Sequence, residues 1–93
     1  MQGARRDATD KANATIERAS QNLEGYKNPN DVSAHIDELK KGVNRVNTLS
    51  SQLDRTKGKA ERDNIKSELK REIDQVKGHE KDLRQKPKKK KQN

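Results

Sequence analysis

Between residues 31 and 56 the apolar side chains fall in a fixed rhythm. Val32, Ile36, Leu39, Val43, Val46 and Leu53 recur at steps of four and three, with Ser50 as the single polar member and Leu49 widening the stripe. Such spacing places one heptad seam on one face of an α-helix. A strand, with its period of two, would scatter these residues over both faces. The preceding NPND, residues 28–31, opens the helix: Pro29 disfavours helical geometry at Asn28, and Asn30 or Asp31 is suited to capping.

The stretch 59–85 repeats the rhythm more thinly with Ile65, Leu69, Ile73, Val76 and Leu83. Lys70 with Asp74, and Glu80 with Arg84, stand one turn apart, a spacing worth a few tenths of a kcal/mol per pair. Gly78 lies inside the run and weakens its last turns by about 1 kcal/mol relative to alanine. Pro87 stops the helix. A third amphipathic stretch, 7–24, lines up Ala8, Ala12, Ile16, Ala19 and Leu23, with Gly25 placed as a C-terminal cap.

The connections GYKNPN and RTKGK are short, which favours antiparallel neighbours. The expected fold is all-α: an up-down-up antiparallel three-helix bundle over 7–85, with helices at about 7–24, 31–56 and 59–85. A flexible 1–6 precedes it, and a disordered lysine-rich tail, 86–93, follows it. Two other arrangements fit the same pattern, a hairpin of the second and third helices with a loosely attached first helix, and a coiled coil with another chain. Tyr26, the one aromatic residue, is expected to staple the first turn with its hydroxyl in water.

Composition makes the core thin. Leu, Ile and Val number 14 of 93 residues, Phe is absent, and charged residues make up 41% of the chain. That is the range in which disorder competes with folding, so the bundle is expected to be marginal and to gain from a partner that brings apolar surface. The net charge of +8 is unevenly placed. Residues 1–85 hold 18 Lys/Arg against 15 Asp/Glu, and the tail supplies the remaining five positive charges. The body is therefore not a uniformly basic nucleic-acid binder. No apolar run reaches the length of a membrane span, MQGARRDATD lacks the apolar stretch of a signal peptide, and an intracellular location is expected.

Catalytic chemistry finds no foothold in the pattern. There is no cysteine, no serine in a GxSxG setting and no glycine-rich phosphate loop. The chain is expected to be no enzyme and to use no cofactor. His35 and His79 are the two histidines; Asp31 and His35 stand one turn apart, but a pair falls short of the three or four ligands of a stable metal site. They are expected on solvated faces, without metal. Asn13-Ala14-Thr15 matches the glycosylation triplet and is expected to be an ordinary surface turn.

Two groups of residues are candidates for contact with partners. Asn44, Asn47, Ser50 and Ser51 cluster beside the seam of the second helix, where polar groups fix register or mark the docking of a partner helix. Lys86, Lys88, Lys89, Lys90 and Lys91 match the loose pattern of a nuclear-import signal and are suited to weak, salt-sensitive contact with a polyanion or an anionic membrane. No aromatics interleave with them, so stacking on single strands is not expected.

The order VSAHIDELKKGVNRVNTLSSQLDRTKGKAERDNIKSELKREIDQVKGHEKDL resembles the N-terminal regulatory helices of syntaxin-type SNARE proteins. Gln52, Leu53, Thr56, Gly58, Ile65, Leu69 and Val76 echo that layout over about 32–83. The chain departs from it in having no SNARE motif with a central glutamine layer. The resemblance implies a regulatory bundle that docks other helices during membrane fusion. The function expected is thus a non-enzymatic protein-interaction module, working through a helical groove or self-association. The alternative is a small nucleic-acid-associated protein that uses its lysine tail.

Overall fold

The computed structural model describes residues 2–89 and is a three-helix bundle: α1 (Gln2–Gln21), a short 3-10 turn (Leu23–Gly25), α2 (Pro29–Arg55) and α3 (Lys59–Arg84). Each helix packs on both others, so α1 is an integral third member, not a loose attachment. The one strand-like feature among the described residues is an isolated antiparallel bridge between Tyr26 and Lys88.

The seam of α2 does what its spacing predicts. Val32, Ile36, Leu39, Val43, Val46 and Ser50 are buried, and Leu39 and Val46 are fully closed to solvent. From α1 come Ala8, Ala12, Ile16 and Ala19, and from α3 come Val76 and Leu83. Alanines on α1 let its backbone come close, at the cost of little buried area. Gly42 serves the same end on α2: a Cβ there would stand 3.0 Å from Val76 Cγ2, so its absence seats α3 against α2. The half-buried Leu23, Leu69 and Ile73 pack around this core.

The helix ends differ in places from expectation. α1 begins at Gln2, so the 1–6 segment is helical where described; Ala4, Arg5 and Arg6 are strong helix formers and extend the helix beyond its apolar face. Gly25 does not cap in a left-handed conformation, as no described glycine has positive φ. It sits instead in the 3-10 turn, where a Cβ would meet the Asn22 side chain at 2.7 Å. Pro29 takes the first turn of α2, with Asn28 as the flanking residue and no side-chain cap bond. At the far end of α2, the Arg62 guanidinium reaches from α3 and donates to the carbonyls of Leu53 (2.8 Å) and Thr56 (2.9 Å). A cation there donates to end carbonyls, of which Leu53 O also accepts from Thr56 N–H at 3.3 Å, and meets the negative end of the helix dipole.

The tail begins as part of the fold. Beyond α3 the chain turns back along the first connection: Lys27 N–H donates to Pro87 O (3.0 Å), and Lys89 N–H donates to Gly25 O (2.8 Å). Residues 86–89, expected in a disordered tail, thus form a strap over the α1–α2 turn. Lys90 and Lys91, with the rest of the tail, lie outside the described residues.

Candidate functional site

The strap gathers chemistry at one end of the bundle. Lys86 Nζ donates to Asp31 Oδ2 at 2.7 Å, joining the strap to the first turn of α2. The hydrogen bond and charge of Lys86 hold the Asp31 carboxyl below its usual range. Tyr26 is buried, with the Lys88 ammonium 5.7 Å from its ring centroid, a cation–π distance. Two of the five expected polyanion-binding lysines therefore have partners within the body, and Lys89 is tied by its backbone.

The Asp31–Lys86 contact has an acid limit. A carboxyl depressed in the folded state binds fewer protons than in the unfolded chain. Its stabilisation is present above the unfolded value of about 3.9 and is lost as pH falls through the lower folded value. Titrating Asp31 by carboxyl-carbon NMR should give a midpoint below the ordinary carboxylate range. In Lys86→Gln the midpoint should move back up. An unchanged midpoint in the variant would mean that the pair does not hold in solution.

One turn further along α2, His35 faces His79 of α3, with ring centroids 5.8 Å apart and planes at 71°. Both are half-buried, and His35 Nε2 is closed to solvent without a hydrogen-bond partner. Their expected place on separate solvated faces is therefore corrected. Asp82, one turn beyond His79, adds an exposed carboxylate to the pair. The match is legible in hindsight, since His35 and His79 each stand 22 residues from Lys57 in the α2–α3 turn, and an antiparallel hairpin sets equidistant positions side by side.

Glu80 is a buried carboxylate between α1 and α3. Its Oε2 accepts from Thr15 Oγ1 at 2.7 Å and lies 3.2 Å from Arg84 Nε. The Glu80–Arg84 pair expected from spacing is formed; Lys70 and Asp74 make no ion pair among the described residues. Thr15 belongs to the glycosylation-like triplet, but only Asn13 and Ala14 are on the surface, because Thr15 turns inward to Glu80.

The polar cluster of α2 is split between two grooves. Asn47, Ser50 and Ser51 face α1, alongside Arg5, Arg6, Thr9 and Asp10. Asn44 faces α3, in a groove shared with Arg45, Thr48, Leu49, Glu68 and Glu72. Ser50 is buried, whereas Asn44, Asn47 and Ser51 are exposed. Arg45 and Glu72 cross the second groove at 3.6 Å, a charge pairing without a hydrogen bond, and Glu72 Oε2 is left without a hydrogen-bond donor. Leu49, Leu53 and Ile65, near the α2–α3 turn, are only half-buried, although they continue the seams that are closed from Val32 to Val46 on α2 and at Val76 and Leu83 on α3. In the sequence the polar residues there are more conspicuous than this apolar end. Its signal was present, since the α1 stretch offers no apolar side chain larger than alanine between Gln2 and Thr15 to cover it.

No described helix is long and apolar enough to cross a membrane. Compared with known proteins, the chain matches no family model, no curated protein and no solved structure.

Proposed function

We propose that this chain is a non-enzymatic interaction module that takes an amphipathic helix into the α2–α3 groove beside Leu49. One observation carries this reading: Leu49, Leu53 and Ile65 extend the heptad seams past the closed core and stay half-exposed. Apolar surface left on a seam in a thin-cored bundle is where a further helix adds burial. Glu68 and Glu72 outnumber Arg45 along this groove, which favours a helix with basic flanks. A regulatory role in membrane trafficking is the finer form of the proposal, and it rests on the residue layout of α2 and α3 alone.

The test selects helical peptides from a display library against the full chain and counter-selects against Leu49→Asp. The expected peptides are amphipathic with basic flanks, bind the parent at least tenfold more tightly than the variant, and leave the variant's circular dichroism unchanged. Sedimentation velocity on the same samples shows whether a second copy fills the groove instead. Peptides that bind both proteins equally, or no selection together with a monomer at all concentrations, would refute the proposal.

A further inference from the structure

His35, His79 and Asp82 come together from two helices that the short α2–α3 turn holds antiparallel. Their three donor atoms lie within 4.8 Å of one another. Donors sharing one zinc ion at about 2.0–2.1 Å in tetrahedral geometry stand roughly 3.3 Å apart. Small side-chain rotations therefore bring the set onto a common ion. The pattern of burial supports a ligand here. An imidazole nitrogen closed to solvent with no partner, His35 Nε2, leaves polar capacity unused, which folded proteins generally avoid. Asp82 on the solvent side offers an anionic oxygen and an open approach. His79 and Asp82, three residues apart, project from one face of α3.

We propose that His35, His79 and Asp82 form a binding site for a single divalent transition-metal ion of the zinc class, with water completing its shell, and that the ion pins α2 to α3. Two imidazoles and one carboxylate suit Zn²⁺, Ni²⁺ or Cu²⁺, whereas Mg²⁺ and Ca²⁺ prefer all-oxygen sets. The site lies one turn along α2 from Asp31, the residue that Lys86 of the strap contacts, and away from the Leu49 groove. It stands independently of the helix-docking reading.

The experiment titrates ZnCl₂ into untagged, chelator-treated full chain and follows the histidine ring signals by carbon-correlated NMR, with calorimetry in parallel. Both imidazoles should move in one saturable step at one ion per chain, and MgCl₂ should move neither. Zinc should raise the thermal midpoint of the parent chain. His79→Gln should weaken binding at least tenfold and remove that rise. Asp82→Asn alters an exposed side chain, so it tests the site without threatening the fold, and it should weaken binding severalfold. Static ring signals, movement of only one ring, or equal zinc affinity in parent, His79→Gln and Asp82→Asn would each overturn the site.

Discussion

Leu39→Asp is expected to unfold the chain, whereas Leu53→Asp is expected to leave its helicity intact. Both leucines belong to one heptad seam and are alike by sequence. Leu39 is fully buried at the centre of the core; Leu53 is half-buried beside the α2–α3 turn. Truncating a buried leucine to alanine alone costs about 2–5 kcal/mol. An aspartate at position 39 adds the cost of an unpaired buried charge. A domain of this length has of order 5–14 kcal/mol in total, and a core made largely of alanine and valine puts this one at the low end. Far-ultraviolet circular dichroism with urea titration reads both variants. Retained helicity in Leu39→Asp would show that the seam packs elsewhere than between α1 and α3.

Thr15→Val is expected to lower stability by about 1–3 kcal/mol, because it takes the hydroxyl donor from a buried carboxylate. Glu80 then keeps only Arg84, whose side chain is largely exposed. For a domain of this size the thermal midpoint should fall by roughly 5–20 °C. The double variant Thr15→Val with Glu80→Leu should recover much of the loss, since replacing a buried polar pair by apolar side chains is often neutral or stabilising. The two sites touch, so the changes should be non-additive, and a double-variant cycle measures the coupling. Additive losses would mean that the Thr15–Glu80 bond contributes nothing in solution.

The α2 seam was legible because its burial follows from local periodicity. Val32 through Ser50 face inward on the rhythm that heptad spacing sets. The α2 and α3 boundaries were legible to within two residues because Pro29, Gly58 and Pro87 punctuate the chain. What the sequence hid depends on contacts between distant segments. Thr15 and Glu80 are 65 residues apart, and each alone reads as a surface residue of a charged helix. Lys86 and Asp31, 55 residues apart, read as a tail and a cap. The start of α1 was hidden for a different reason: Ala4, Arg5 and Arg6 have helical propensity without an apolar face, and amphipathicity marks a helix only as far as that face extends. The open end at Leu49, Leu53 and Ile65 was obscured by the regularity of the seam, which looks the same where it is closed and where it is not.

The most direct measurement of the interaction reading is a two-dimensional amide NMR spectrum of the full chain. It would be titrated in turn with a selected basic amphipathic helical peptide and with a short DNA duplex at physiological salt. Helix docking predicts that the peptide shifts the amides of Asn44, Thr48, Leu49, Leu53, Glu68 and Glu72 in one saturable step. It predicts that DNA moves only signals of the lysine-rich tail and the adjoining strap. A peptide that leaves the Leu49 groove still, while one DNA sequence shifts helix signals more than another, would contradict the account and make the lysine tail part of a nucleic-acid site.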